Sequence, residues 1–310
     1  MKQLNTILAL TYFLLLPIPL TSFAAEYRAE PYLTKQFTLN GAGNLHVETS
    51  GSSVAVTGSG GNEVVVAMYV KLDGREIEKQ DPAVEKELED YNIDIRKDGN
   101  SVSVIVKRKT RVSRNKLSLS FKIQVPSEMS SKFQSAGGSI SIEGIKGNHS
   151  VTSSGGGIQV ANSAGELTTQ SAGGSFRLEN FDGKVNVQSS GGSIKVNRLT
   201  GDLKVGSSGG SVSLEEIAGS INVDSSGGSV KAQLSTLERE LNLNTSGGSI
   251  TAIVPRGQGL NLNLSGGRVN SSLSNFDGEI KKDRIFGKIN GGGVPVVMQS
   301  SGGSITLEFN

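Results

Sequence analysis

A Gly-Gly pair returns along this chain at a nearly fixed interval. It falls at 137, 155, 173, 191 and 209, then at 227, 247, 266 and 302. The first five steps are 18 residues each; the next are 20 and 19, and the last is 36, twice the unit. Low-complexity Gly/Ser sequence does not hold such a register, so the period describes a repeated structural unit.

Aligned on the glycines, the units show columns. One apolar column holds Ile140, Ile158, Phe176, Ile194, Val212 and Val230, and two residues on come Ile142, Val160, Leu178, Val196, Leu214 and Ala232. A second pair holds Leu167, Val185, Leu203 and Ile221, with Val151, Val187, Val205 and Val223. A turn column is Gly147, Gly165, Gly183, Gly201 and Gly219. Each unit therefore reads as two short strands of period two separated by turns. A lone coil buries too few side chains to offset the backbone entropy of ordering it. Stacking supplies hydrogen-bond partners above and below and closes the apolar interior. The expected fold is all-β: a single-chain β-solenoid (β-helix) of about 18-residue coils with a short helical insertion.

A strict column of small hydroxyls accompanies the glycines: Ser135, Ser153, Ser171, Ser189, Ser207 and Ser225. A ligand-binding ladder is one reading of it. The favoured reading is a narrow corner in which the hydroxyls bond to backbone or to one another.

The motif also occurs early. Gly43-Asn44-Leu45-His46-Val47 and Ser50-Gly51-Ser52-Ser53-Val54 match Gly201-Asp202-Leu203-Lys204-Val205 and Ser208-Gly209-Gly210-Ser211-Val212. Strand-like runs follow at 64–72, 102–107 and 117–125. Between them, Asp81-Pro82 is a helix N-cap with proline at the first helical position, and Val84, Leu88 and Tyr91 share one face. A helix over about 82–91 is expected, covering an edge of the array. The expected division is a signal peptide (1–24), a β prelude with first coil and helical insert (25–134), and the repeat array with irregular C-terminal coils (135–310). A final strand, Gly303 to Phe309, ends the chain, and the irregular terminal units suit a cap on the array.

Residues 1–24 carry the marks of a secretory leader: Lys2, an uncharged apolar run from Ile7 to Leu20, and Ser22-Phe23-Ala24 before a cut. The run is too short for a comfortable membrane span. The chain is thus expected to be exported, periplasmic or extracellular, with no span after leader removal.

Net charge is +2 over 310 residues, which gives no electrostatic case for nucleic acid. Charge is uneven locally. From Asp73 to Asp98 there are ten acidic and five basic residues, and then six basic residues without an acid: Lys107, Arg108, Lys109, Arg111, Arg114 and Lys116. The latter are candidate contacts for an anionic ligand; as solvated gatekeepers on strand ends they need no ligand.

Cysteine is absent, and His46 and His149 are the only histidines. Disulfides, Cys nucleophiles, Cys-ligated zinc and His-rich sites are excluded. His149 lies in the inward column of Leu167 and Val185, where packing in a less buried first coil explains it. Calcium-binding nonapeptides and phosphate-binding glycine loops are missing, so no cofactor is expected. The outward columns offer candidates for catalysis: Ser141, Gln159, Arg177, Lys195, Ser213, Lys231; Glu143, Ala161, Glu179, Asn197, Glu215, Gln233; and Asn148, Glu166, Lys184, Asp202, Ser220. Glu179 and Glu215, two coils apart, sit at a separation compatible with an inverting glycosidase pair, but nothing else converges on them.

One resemblance is carried by particular residues. Ile123-Gln124-Val125-Pro126 precedes the Gly-Gly-Ser-Ile units; Gly287-Lys288-Ile289-Asn290-Gly291-Gly292-Gly293 and a last Gly302-Gly303-Ser304-Ile305-Thr306-Leu307 end the array. This resembles the bacterial β-strand-repeat domains labelled "putative adhesin", of unknown function, over about residues 36–310. The resemblance implies a surface or envelope binding role and brings no functional residues with it. The expected function is that of a non-catalytic, adhesin-like binding or scaffold protein of the cell envelope, whose partner is a glycan or an envelope protein. A polysaccharide-active β-helix enzyme and a structural spacer that self-associates through its ends are the alternatives. Oligomeric state is left open.

Overall fold

The computed structural model describes residues 30–77, 81–109 and 117–310. Its strands are β1 (Leu33–Thr38), β2 (Gly43–Thr49), β3 (Ser53–Ser59), β4 (Glu63–Leu72) and β5 (Arg75–Ile77). After helix α1 (Pro82–Leu88) come β6 (Tyr91–Asp98), β7 (Ser101–Arg108), β8 (Leu117–Pro126), β9 (Met129–Ser135), β10 (Ile140–Glu143) and β11 (Lys146–Ser153). The regular array is β12 (Ile158–Ser171), β13 (Phe176–Ser189), β14 (Ile194–Ser207), β15 (Val212–Ser225), β16 (Val230–Thr245) and β17 (Ile250–Val254). The chain ends with β18 (Leu260–Ser265), β19 (Arg268–Ser271), β20 (Phe276–Lys281), β21 (Arg284–Ile289), β22 (Val294–Ser300) and β23 (Ser304–Phe309).

The molecule is a β-solenoid. Each coil lies parallel on the next in the 18-residue register: Ile158 opposite Phe176, then Ile194, then Val212. The inward columns are the expected ones, and their members are buried. At a strand spacing of ~4.8 Å, the stack of levels rises to roughly 50 Å.

The coil is not two short strands separated by a turn. β12 to β15 each run 14 residues without a break in pairing on either side of one bend. The bend is made by a residue in the left-handed region: Asn162, Asn180, Arg198 and Glu216 have φ of 51–56°. Neighbouring coils bend at the same position, so their ladder skips that residue alone and resumes with Ser163 opposite Phe181. The bend turns a third column inward, Ile145, Ser163, Phe181, Leu199 and Ile217, all buried.

The Ser column is structural. Ser153, Ser171 and Ser207 are buried, and each donates its hydroxyl to the carbonyl three residues on, at 2.9–3.1 Å, tying off the Gly-Gly corner from inside.

At both ends, stacking order departs from chain order. β2 and β3 form a complete level, lying between β7–β8 on one side and β9–β10 on the other. Antiparallel strands then close that end, with β6 on β7 and β4 on β8. The C-terminal end repeats the device in reverse. β22 and β23 slot between β16–β17 and β18–β19. Antiparallel β21 and β20 then cover β18. The final strand is therefore an interior strand, and residues 260–289 close the end. The doubled 36-residue step between the pairs at 266 and 302 is explained by that hairpin, and Gly303 stacks on Gly248.

Helix α1 begins at the expected cap, Asp81 accepting from Ala83 N at 2.9 Å. It stops at Leu88 because Tyr91 opens β6. Val84 is fully buried against the N-terminal end of the core.

His149 does not mark a poorly buried coil. Two levels, β2–β3 and β7–β8, stack beyond its neighbours, and the side chain is 3 % exposed. Nδ1 lies 2.8 Å from Ser131 Oγ, and Nε2 makes no hydrogen bond. Burial pushes its pKa down to about 4, against an opposing contribution from the Ile145 backbone. Below the ordinary value of 6.5 the unfolded chain takes up a proton that the folded chain refuses, so stability falls as pH drops toward 4. Between about pH 7 and pH 4.5 this group should cost about 2–3 kcal/mol. The substitution His149→Leu, which copies Leu167 of the next coil, should remove that much of the pH dependence in denaturant titrations. An unchanged pH profile would refute the assignment.

Candidate binding face

The face built by the second halves of β12 to β16 carries two depressions. The first, ≈ 520 Å³, has the buried Leu167, Val185 and Leu203 behind it. Its walls are the column Glu166, Lys184, Asp202 and Ser220 beside Asn186, Lys204 and Asn222. An irregularity of the repeat forms one side. The unit from Val230 to Thr245 has two extra residues, which break its register with β15 between Leu214 and Ile221. The surplus pushes Arg239 and Glu240 over the face. Arg239 pairs with Asp202 and donates through Nε to Ser220 Oγ at 3.0 Å. Signs alternate from level to level, so this depression is charged but largely self-compensated. Its sequence signal was the 20-residue step between Gly227 and Gly247.

The second depression follows the outside of the Ser corner. Two segments, ≈ 560 and ≈ 620 Å³, meet at Asp224 and Ser226 to make one furrow along the rod. One wall is the column Thr152, Gln170, Gln188, Gly206, Asp224, Asn244 and Gln299, set in register by successive pairings. The other is the exposed column Ser154, Ala172, Ser190, Ser208, Ser226, Ser246 and Ser301. At ~4.8 Å per level the furrow runs for roughly 29 Å. Its walls are hydroxyls and amides, and Asp224 is the one charged side chain in them. Asp224 accepts from Asn244 Nδ2 at 3.0 Å. At Gly206 the missing side chain leaves room for Gln188, whose Oε1 lies 2.1 Å from where a Cβ would stand. Sequence reading passed over this wall, although each member directly precedes an inward Ser or Thr.

The candidate residues from the sequence fall elsewhere. Lys107, Arg108 and Lys109 lie at the end of β7, near the N-terminal end of the rod. Lys107 Nζ pairs with Glu48 Oε1 at 3.1 Å, Arg108 is half-buried, and Lys109 is exposed. Arg111, Arg114 and Lys116 lie outside the described residues, as do residues 1–24. On the adjoining face, Glu179 accepts from Arg198 at 2.7 Å. Glu215 lies 3.9 Å from Lys195 and accepts from Ser213 Oγ. Each carboxylate thus has its own cation, and both are part-exposed. Among the described residues no three His, Asp or Glu side chains are grouped as a metal site, and no helix is long and apolar enough to cross a membrane.

A family model described as Toastrack DUF4097 matches residues 83–308. The chain belongs to the Toastrack DUF4097 family. The match to this Toastrack chain starts within α1 and ends in β23, so it includes the whole regular array. No curated protein matches it. Two solved structures are similar. One is a "putative cell adhesion protein" from Clostridium sporogenes, 11 % identical, covering 91 % of this chain and 100 % of the other, with a TM-score of 0.23. The other is a "putative adhesin" from Bacteroides fragilis, 12 % identical, covering 90 % and 96 %, with a TM-score of 0.32.

Proposed function

We propose that this chain is an exported, non-catalytic, adhesin-like binding protein of the cell envelope. It holds an extended, uncharged polymer, a glycan strand foremost, along the furrow of its Ser corner. The observation behind this reading is the furrow itself: a straight channel whose donors and acceptors repeat at every level. A polymer with regularly spaced hydroxyls can meet it many times with weak contacts, and repetition raises the total strength. The walls lack the charge that would favour an anionic polymer. Non-catalytic action fits the separately paired Glu179 and Glu215, and export fits the leader-like residues 1–24.

The test is capture of neutral and anionic glycans by the purified protein at low and high salt. Neutral chains should bind with little salt dependence. Ser190→Trp and Ser208→Trp, which fill the furrow from exposed positions, should weaken capture at least about tenfold, as loss of several contacts requires. Lys204→Glu, in the other depression, should leave capture unchanged. Salt-sensitive capture that vanishes with Lys107→Glu and Lys109→Glu would move the site to the N-terminal end and overturn the furrow assignment.

A further inference from the structure

The two ends of the rod differ in charge, and one of them exposes apolar side chains. Among the described residues two large hydrophobic side chains stand open to solvent: Ile280 at 62 % and Phe286 at 53 %. Both belong to the β20–β21 hairpin that closes the C-terminal end. Cations outnumber acids on this part of the chain: Arg268 on β19 and Lys281, Lys282, Arg284 and Lys288 on the hairpin, against Asp277, Asp283 and Glu279, the last paired with Lys281 at 2.6 Å. Arg284 lies over the Phe286 ring, 5.4 Å from its centre.

The helix at the opposite end carries the complementary charge. From Asp81 to Asp90 five acids (Asp81, Glu85, Glu87, Glu89, Asp90) stand against Lys86, while Lys107, Arg108 and Lys109 of the neighbouring β7 segment lie beside its C-terminal side. Helix α1 and its caps carry these acids, Glu85 and Glu89 exposed and Asp81 and Glu87 partly so. Tyr32 lies within reach of that charge, its hydroxyl pKa raised by burial and then by Glu85 and Asp81. Around the helix, Tyr32, Leu33, Ile77, Leu88, Tyr91 and Ile93 pack on the core while remaining partly exposed.

We infer that the hairpin end of one copy docks on the α1 end of a second copy, Phe286 and Ile280 against the partly exposed apolar residues and the lysines against the helix acids. The contact is made by side chains. Part of the β6 edge is already occupied, since Lys35 Nζ donates to Ile95 O at 2.8 Å. A head-to-tail contact between opposite ends of a rod does not close on itself, so it builds open filaments rather than a dimer. Opposite exposed charges bring the ends together and are screened by salt, whereas apolar contact gives the joined state its strength.

Sedimentation velocity of the purified protein tests this, from about 1 to about 100 µM at about 50 and about 500 mM salt. Average mass should climb with concentration at low salt, without a plateau at the dimer, and fall at high salt. Phe286→Asp should weaken association at least about tenfold. The charge reversals Lys281→Glu with Lys282→Glu, and separately Glu85→Lys with Glu89→Lys, should each give a monomer whose circular dichroism matches the parent. Mixing these two should restore association at least to a mixed dimer, because the intact hairpin end of one fits the intact α1 end of the other. A parent that stays monomeric, a plateau at twice the monomer mass, reversals that assemble like the parent, or a mixture that stays monomeric would each overturn the inference. The charge-reversed pairs keep it testable should Phe286→Asp fail to fold.

Discussion

Gly192→Ala should destabilise the protein by at least about 3 kcal/mol, while Gly191→Ala, one residue earlier, should change stability by less than about 1 kcal/mol. The two glycines are sequence neighbours in the same corner, and neither needs the left-handed backbone. They differ in what stands opposite. A Cβ on Gly192 would lie 2.2 Å from the Gly174 carbonyl oxygen and 2.5 Å from its carbon, both backbone of the coil beneath. Backbone cannot swing aside as a side chain can, so two coils would have to separate. A Cβ on Gly191 meets nothing nearer than the Ala172 oxygen at 3.3 Å. The same close approach recurs at Gly156, Gly174, Gly210 and Gly228. Chemical denaturation of both variants decides it. Equal costs would mean that the corner glycines are kept for the turn and not for the spacing between coils.

Removing residues 294–310 should be far more damaging than removing the internal unit 190–207. A terminal repeat of a solenoid is usually the cheapest to lose. Here β22 and β23 are interior, and their deletion takes away Val296, Met298, Ile305 and Leu307, all buried. That is about 6–12 kcal/mol of burial at ~1.5–3 kcal/mol each. It also leaves β19 with no strand partner and β18 with only β21. Residues 255–293 should then lose their hydrogen-exchange protection, and the bared edges of β16 and β17 should promote aggregation. Excising 190–207 instead joins coils of identical register, so a folded, shorter rod is expected. A truncated protein that keeps protection in β18 and β21 would show that the end hairpin stands without the level beneath it.

Much of this was legible because the period is rigid. Once Ile140, Ile158 and Phe176 are aligned, every later inward residue on those strands follows from counting. The third inward column escaped because it sits past the left-handed bend. There alternation restarts, and Ser163 interrupts the run of Ile145, Phe181 and Leu199. The order of levels at the ends also escaped. The pairing of β2 with β9 joins residues 86 positions apart, Val47 opposite Phe133 for one, and no local pattern records which coil lies between which. The basic run drew attention as a charge cluster, whereas the furrow, built of Gln, Ser and Asn, has nothing conspicuous in any one unit. It becomes a feature only when seven units are set side by side.

The interior position of the last strand also governs how the protein answers tension. β23 lies across the rod with β17 bonded along one edge and β19 along the other. A pull transmitted through Asn310 would act along the strand and perpendicular to the stack. Hydrogen bonds on both edges would then have to yield together, in shear. A strand on the outside would instead peel away one bond at a time. The fold thus grips the chain from the middle of a pile, and a force arriving there meets the resistance of two neighbours.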